Sequence, residues 1–308
     1  MSSVLSEKHF YDEAAAYAWV EARVWPEGPV CPHCGGFDRI SKMGGKSTRI
    51  GAYKCYQCRK PFTVKVGTVF ESSHVPMTLW LQAMFLMTSS KKGISSNQLH
   101  RTLCVTLKTA WFMSHRIRLA MQTVGLAPMG GEGATIEIDE TVIGKQEGAP
   151  KDAAFHGSNF RNFVLTLVER GGSSRSFHVE GSTIGTLMPI IRANVAKGTS
   201  VMTDTAPWYK TMNRDGYFAS HETVNHTQDE YVRGHVTTNT VEGFYSVFKR
   251  GMRGIYQHCG ERHLHRYLAE FDFRYSNRVK LGIGDVERTD RAIRGIVGKR
   301  LTYRTAPN

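Results

Sequence analysis

The sequence predicts a multidomain α+β protein, and three observations support this class. Two CxxC pairs lie near the N-terminus with 20 residues between them. A helical pattern then runs to about residue 124, and an alternating, strand-like pattern begins after the Gly- and Pro-rich stretch 125–134. We therefore expect five segments, with bounds 1–72, 73–124, 125–134, 135–285 and 286–308, the last being a basic C-terminal tail.

Composition limits the classes of partner. A chain of 308 residues that is 41% hydrophobic and 22% charged can bury the cores of two or three domains. Its 40 Lys and Arg against 27 acids give a net charge of +13, which favours a nucleic acid over a membrane surface as partner. The N-terminus has no signal-peptide pattern and no apolar run is long enough to span a bilayer. We expect a cytoplasmic, nucleoid-associated bacterial protein.

The four clustered cysteines predict a zinc ribbon in segment 1–72. Each CxxC forms a tight turn that aims two thiolates at one point, and two such turns complete a closed tetrahedral site for one structural Zn2+. A redox dithiol, the alternative, would need only one pair. His33 lies inside the first turn and is expected to be a bystander, while Cys104 and Cys259 are expected to be core or partly buried thiols. The predicted zinc ligands are Cys31, Cys34, Cys55 and Cys58.

The helical segment 73–124 resembles a helix-turn-helix domain. A helix from about Asp12 to Val24 precedes the ribbon, and "MTLWLQAMFLMTSS" is helical after it. Two further helices, about Ser95 to Leu103 and Thr109 to Met121, are joined by a short turn. The second would present side chains to a major groove, and simple helical packing is the alternative. The predicted groove-facing residues are Lys108, Thr109, His115 and Arg116.

Beyond the linker 125–134, segment 135–285 reads as a ribonuclease H-like α/β domain. "TIEIDETVIG", "NFVLTLVERG" and "SSRSFHVEG" predict three strands, and "TIGTLMPIIRANVAKG" predicts a helix. "TSVMTDTAPWYK" and "SHETVNH" predict two more strands, and a long helix begins near Asn239. "GKQEGAPKDAAFHGSNFRN" is assigned only as a basic loop between strands.

Three acids lie where these elements bring their ends together. Asp139 lies on the first strand of this domain, Asp204 ends the fourth, and Glu242 lies in the first turns of the long helix. Each acid alone could be a solvated residue, and one buried carboxylate is costly, but three that converge on divalent cations are neutralised by them. Lys249, two helical turns after Glu242, shares its face and is placed to hold a DNA phosphate. We predict a magnesium site formed by Asp139, Asp204 and Glu242.

These residues resemble a known family. Six stretches are similar to bacterial insertion-sequence transposases of the family numbered fifteen ninety-five: "WPEGPVCPHCGG", "YKCYQCRKPFTVKVGTVF", "IEIDETVIG", "VMTDTAPWY", "NTVEGFYSVFKRGMRG" and "GKRLTYR". These are DDE-type enzymes with an N-terminal zinc ribbon. The resemblance places the family's Asp, Asp, Glu and Lys on Asp139, Asp204, Glu242 and Lys249. It differs at Tyr245, where Trp is expected, and at Thr237, where His is often found.

The resemblance implies a DNA transposase. Two Mg2+ (or Mn2+) ions held by the three acids would support hydrolysis of the phosphodiester at the element end and transfer of the 3'-OH to target DNA. The partners would be double-stranded DNA, both terminal inverted repeats and target, and a second copy of the chain in a dimer or higher assembly. The predicted DNA contacts are Lys108, Arg116, Lys249, Arg250, Arg253, Arg262, Arg266 and Arg274.

Two other functions remain open from the sequence. A ribonuclease H-like nuclease would share the carboxylates but would not join cleaved ends to new DNA. An inactive DNA-binding regulator derived from a transposase would need only the first 125 or so residues, which leaves the acids unexplained.

Overall fold

The computed structural model of the chain describes residues 3–150 and 160–302, so the middle of the predicted basic loop and the end of the predicted tail lie outside the described residues. The chain divides into two compact units. The first runs through Gln122 and resumes at Ile283, and the second is Thr123–Gly282. The helices are α1 (Glu13–Val24), α2 (Met77–Ser89), α3 (Ser96–Leu103), α4 (Leu107–Met121), α5 (Ile184–Asn194), α6 (Asn239–Gly251), α7 (Leu264–Ser276) and α8 (Asp285–Arg294). The strands are β1 (Ile40–Lys42), β2 (Tyr53–Cys55), β3 (Pro61–Phe62), β4 (Thr135–Ile143), β5 (Asn162–Glu169), β6 (Ser174–Val179), β7 (Ser200–Asp204), β8 (Ser220–Val224), β9 (Val232–Arg233) and β10 (Val236–Thr237).

A small antiparallel sheet, in the order β1-β2-β3, forms the ribbon of the first unit. The helix before it, α1, begins where the Asp12 carboxylate accepts a hydrogen bond from the Ala15 amide at 2.8 Å. The sheet has almost no core beyond two cysteines and Phe62, against which the rings of Trp25 and Tyr53 pack. So few apolar side chains cannot stabilise the ribbon without a metal or a neighbouring element.

Helices α1–α4 and α8 pack together in this unit. α8 contacts α1, α2 and α4, and the hydroxyls of Thr88 on α2 and Thr289 on α8 are 2.7 Å apart. Residues 286–294, predicted as the start of a basic tail, are therefore part of a packed helix. The reason is a buried stripe of Thr289, Ala292 and Ile293 within a strongly charged segment. The predicted division at residue 72 also differs from the structure, because the ribbon and these helices form one unit.

The second unit is built on a five-stranded mixed sheet in the order β6-β5-β4-β7-β8. β4, β5 and β6 pair antiparallel, while β4, β7 and β8 pair parallel. The strands and helices predicted for residues 135–285 are all found in the predicted order. The hairpin of β9 and β10 was not predicted, because strands of two residues carry no alternating pattern.

The sheet is covered on both faces. Ile136 and Ile138 of β4 pack toward Leu187 and Ile191 of α5. The opposite face packs against the apolar stripe of α6 and against α7, whose buried residues are Val241, Phe244, Phe248, Leu268 and Phe271. The alternation along β4 therefore points Glu137 and Asp139 toward the α6 face.

Among the described residues, no helix is long and apolar enough to cross a membrane.

Candidate functional site

The four predicted cysteine ligands meet at one point. The Sγ atoms of Cys31 and Cys58 are 3.6 Å apart and those of Cys34 and Cys55 are 3.7 Å apart, and all four lie within 4.8 Å of one another. A tetrahedron with zinc–sulfur bonds of about 2.3 Å has edges of about 3.8 Å, so the sulfurs fit one Zn2+. The ribbon geometry and this donor set support a structural zinc centre.

The other thiols and His33 lie outside this group. His33 is exposed and is not among the clustered ligands, as expected for a bystander. Cys259 is partly buried, as predicted. Cys104 is exposed, which differs from the prediction, because it ends α3 in the left-handed conformation (φ 51°) and its side chain points away from the helical core.

Two of the predicted acids, Asp204 and Glu242, lie within electrostatic range of the third, Asp139, on the interior strands of the mixed sheet and the helix beside them. Asp139 lies on β4, Asp204 ends the neighbouring parallel strand β7, and Glu242 lies in the first turn of α6. Burial, together with the charges of Glu140, Asp204 and Glu242, raises the pKa of Asp139 to about 8. Carboxylates that repel one another in this way form a donor set suited to a divalent cation.

The acids are less tightly grouped than the cysteines. Within the part of the chain that the structure describes, the four cysteines form a group of potential metal ligands whose donor atoms all lie within 4.8 Å of one another, and the three acids do not. The interaction between Asp139 and the other carboxylates is therefore electrostatic, without a closed cage. An open arrangement of this kind leaves room for water and substrate oxygens around a hard cation.

Hydrogen bonds orient Glu242. Its Oε1 accepts a 2.8 Å bond from the Thr238 hydroxyl and lies 3.2 Å from Nε2 of His226. The same His226 nitrogen is 3.1 Å from the Thr238 oxygen, so the three side chains form one network. Neither His226 nor Thr238 is among the residues predicted from the sequence, since nothing in the local pattern links residues 226 and 242.

Glu137 fixes the start of α6 to β4. Its carboxylate is fully buried and accepts bonds from the Thr240 amide (2.7 Å), the Thr240 hydroxyl (2.8 Å) and the Val241 amide (3.0 Å). It also accepts a 2.7 Å bond from Nε of Arg170, whose other nitrogens donate to the carbonyls of His235 and Thr237. The anion thus satisfies the free amides of a helix N-terminus. The only signal in the sequence was the alternation that places Glu137 on the same face as Asp139.

Tyr245 explains one departure from the family pattern. Its hydroxyl donates toward the carbonyl oxygens of Asp139 (2.7 Å) and Val164 (3.0 Å), so it ties α6 to β4 and β5. A tyrosine at this position satisfies backbone acceptors directly behind the candidate site. Lys249 follows one turn later, partly buried, with its Nζ 5.7 Å from the Tyr245 ring centroid.

Glu140, the neighbour of Asp139, points to the opposite face. It accepts a 2.5 Å hydrogen bond from the hydroxyl of Tyr209, a residue of the α5-side core. Burial raises the pKa of Glu140, and the bond from Tyr209 opposes that shift. The sequence motif "IDET" therefore contains two acids with different surroundings.

Most of the predicted DNA contacts lie on the surface. Four of them are exposed: Lys108, Arg250, Arg253 and Arg262. Lys249 and Arg266 are partly buried. Arg250 donates to the Ser246 carbonyl and hydroxyl, one turn earlier on α6. These positions are compatible with contact to a phosphate backbone.

Two predicted DNA contacts are wrong. Arg116 is 5% exposed and its guanidinium donates to the carbonyls of Val69, Glu71 and Leu301. Arg274 is 6% exposed and forms an ion pair with Glu270 on its own helix. Both arginines lie on the inner face of a helix, where carbonyls or a carboxylate satisfy the charge, so neither can reach DNA.

His115 is also fully buried, which removes a further predicted groove-facing residue. α4 is buried from Met113 to Arg118 and exposes mainly its first turn. The prediction that α4 presents its length to a major groove is therefore not supported.

Two transposase family models and a relative match the chain. A family model described as ISXO2-like transposase domain matches residues 130–276, and one described as transposase zinc-ribbon domain matches residues 11–61. The chain is 26% identical over 284 residues to an uncharacterized protein in transposable element ISH50 of Halobacterium salinarum, covering 87% of this chain and 92% of the relative.

A chain of the cryoEM structure of the simian T-cell lymphotropic virus intasome in complex with PP2A regulatory subunit B56 gamma aligns with a TM-score of 0.30. The identity is 14%, over 56% of this chain and 67% of that chain. A likeness at this level supports no conclusion about fold or function.

A ribbon with four clustered cysteines, followed by a mixed α/β domain, with each part matching a transposase family model, supports the class of transposases. The chain belongs to the insertion-sequence transposases of the family numbered fifteen ninety-five, which confirms the resemblance found in the sequence.

Proposed function

We propose that the chain is a DDE-type DNA transposase. It would bind the terminal inverted repeats of its insertion sequence, hydrolyse the phosphodiester at the element end, and transfer the 3'-OH to target DNA. The observation that supports the proposal is the electrostatic interaction of Asp139 with Asp204 and Glu242 within the domain that matches the transposase model. We further propose that this domain is ribonuclease H-like, because three antiparallel strands lead into two parallel ones in the order β6-β5-β4-β7-β8.

The three acids would hold two Mg2+ or Mn2+ ions. The donor set fits hard cations, because it consists of carboxylate oxygens; burial first, and then the charges of neighbouring carboxylates, raise the pKa of Asp139. Bound ions would activate the attacking water or 3'-OH and stabilise the leaving 3' oxygen. Asp139 interacts electrostatically with both Asp204 and Glu242, so it would hold the cations together with them.

Other side chains of this domain would bind and orient DNA. Lys249 lies about 10 Å along α6 from Glu242, which suits a phosphate adjacent to the reacting one. Arg250, Arg253, Arg262 and Arg266 would contact the backbone, so binding should weaken steeply with salt. His226 and Thr238 would keep the Glu242 carboxylate in the orientation that faces Asp139.

The assembly would contain two copies of the chain, because pairing two element ends requires two catalytic domains. Its place of action would be the bacterial nucleoid in the cytoplasm, where chromosomal DNA is available. The zinc ribbon and the helical part of the first unit would provide the contacts that find the element ends.

The proposal is tested with the purified chain, Mg2+ or Mn2+, and labelled duplexes that carry the sequences flanking its gene. Wild type should bind, cleave at a defined position and join the end to new DNA, while Glu242→Gln should bind without cleaving. Glu132→Gln, which changes an exposed acid in the same unit, is the matched control and should behave as wild type. Cleavage without joining would favour a nuclease, and binding without cleavage by wild type would favour an inactive regulator.

A further inference from the structure

The charge of the first unit is distributed unevenly along the chain. Residues 72–131 contain no Asp or Glu, although about five would be expected in 60 residues at the average of the whole chain. The same stretch contains six Lys and Arg, and it includes α2, α3 and α4. A segment with no carboxylate presents nothing that repels a polyanion.

The structure divides these six cations into two groups. Arg116 and Arg118 are buried on α4, where Arg116 donates to backbone carbonyls and Arg118 donates to the Ser114 hydroxyl at 3.1 Å. The remaining four are exposed and lie on α3 or close to its two ends in sequence: Lys91, Lys92, Arg101 and Lys108. The exposed positive charge of the segment is therefore concentrated around one short helix.

α3 is held by its inner face and leaves its outer face open. Leu99 and Leu103 are buried, and the helix begins where the Ser95 hydroxyl accepts a 3.1 Å bond from the Gln98 amide. It ends at Cys104, in the left-handed conformation, which turns the chain into α4. The exposed side chains of α3 lie at i, i+1, i+4 and i+5 and share one face: Asn97, Gln98, Arg101 and Thr102.

These side chains are the types that read base edges. Asn and Gln can bond both N6 and N7 of adenine, and Arg can bond O6 and N7 of guanine. An α-helix with side chains is about 10–12 Å across, which matches the width of a major groove of about 12 Å. Lysines before and after the helix would lie where the two phosphate backbones flank the groove.

We propose that the outer face of α3 is the surface through which this chain reads the sequence of duplex DNA. In this arrangement α4 is the supporting helix, since its length is buried, and only its first turn with Lys108 reaches the backbone. The proposal rests on the proposed function, because it identifies where a transposase of this kind recognises its element ends. It assigns base contact to Gln98 and Arg101.

The test uses the full-length chain and fluorescence anisotropy. Two labelled duplexes are compared, one with the sequences flanking the gene and one with the same composition in scrambled order. The variants are Gln98→Ala and Arg101→Ala, whose exposed side chains can be removed without opening the core. The control is Arg294→Ala, an exposed arginine of the same unit whose charge is paired with Asp290 at 3.1 Å.

Arg101→Ala should weaken binding to the flanking duplex by roughly 5- to 150-fold, the range for loss of one bidentate base contact. Gln98→Ala should reduce the ratio of flanking to scrambled affinity while leaving the salt dependence unchanged. Arg294→Ala should bind both duplexes within twofold of wild type. Each variant should keep wild-type zinc content, which shows that the unit is folded.

The outcomes separate this inference from the proposed function. If wild type prefers the flanking duplex and cleaves it, but both α3 variants keep that preference, the α3 assignment is overturned and the transposase stands. If the variants lose the preference while wild type never cleaves, the DNA-reading face is supported and the catalytic proposal fails. A wild type that binds neither duplex contradicts both.

Discussion

Removal of the Glu137 carboxylate should destabilise the second unit strongly. Glu137→Ala deletes the acceptor for four hydrogen bonds, two from backbone amides at the start of α6, one from the Thr240 hydroxyl and one from Arg170. It also leaves the Arg170 side chain, 27% exposed, without its anion. Breaking a buried ion pair in this way costs about 3–5 kcal/mol. That is a large fraction of a net folding stability of about 5–15 kcal/mol.

The loss can be measured locally, because the chain has two units and its unfolding need not be two-state. Hydrogen exchange of peptides that cover residues 239–245 reports the opening of the α6 N-terminus. A loss of about 3 kcal/mol corresponds to roughly 150-fold faster exchange of the amides of Thr240 and Val241. Urea denaturation followed by Trp208 fluorescence in a variant without the other tryptophans would give the free energy of unfolding of this unit.

Two variants sharpen this prediction. Glu132→Ala removes an exposed acid of the same unit and should change the stability by less than about 0.5 kcal/mol. In a double-mutant cycle with Arg170→Ala, the two losses should be less than additive, because each variant breaks the same pair. The reasoning is refuted if Glu137→Ala is as stable as Glu132→Ala, or if the cycle shows no coupling.

Three further outcomes are expected. Cys55→Ser should lower the zinc content of the purified chain, measured by metal analysis, and the melting temperature of the first unit, measured by calorimetry. Cys104→Ser, which lies outside the cysteine group, should change neither quantity. Burial raises the pKa of Asp272 from its ordinary 3.8 to about 6, although bonds from Ser hydroxyls and an amide of β6 oppose the shift. The folded state therefore binds this proton more tightly than the unfolded state, so the free energy of unfolding should fall as pH rises from about 4 through about 6. Urea titrations at several pH values should show a smaller pH dependence of this free energy for Asp272→Asn than for wild type. An unchanged pH dependence would contradict the assignment to Asp272. Arg116→Ala should destabilise the first unit by about 2–4 kcal/mol, since it leaves buried carbonyls without donors, yet it should not change the salt dependence of DNA binding; a reduced salt slope would restore Arg116 as a DNA contact.

The elements of the second unit could be predicted because their signals are local. The alternation of β4 and the 3.6-residue period of α6 are complete within about ten residues, and both elements were found where expected. The cysteine centre could be predicted for the same reason, since each CxxC turn is a local structure. The parallel pairing of β4 with β7 places Asp139 and Asp204 on neighbouring strands, within electrostatic range of each other.

The contributions that sequence reasoning missed depend on distant partners. Glu137 is bonded by Arg170, 33 residues away, and by Thr240, 103 residues away, so its role as an anchor is invisible in "IEIDET". Arg116 and Arg274 were predicted to be exposed because they are charged. Distant backbone carbonyls accept from buried Arg116, whereas Arg274 is buried by the packing of α7 and pairs with Glu270 on the same helix. α8 was predicted as a tail because its charge conceals a buried stripe around Ile293.

The most direct test of the central claim is strand transfer by pre-cleaved ends. Duplexes that carry the element end with a free 3'-OH are incubated with a supercoiled plasmid, Mg2+ or Mn2+, and either wild type or Asp204→Asn. Wild type should join the 3'-OH to the plasmid, omission of the metal should abolish joining, and Asp204→Asn should bind the end without joining it. Wild type that binds and nicks the DNA but never joins an end, or joining that persists in Asp204→Asn, would contradict the central claim.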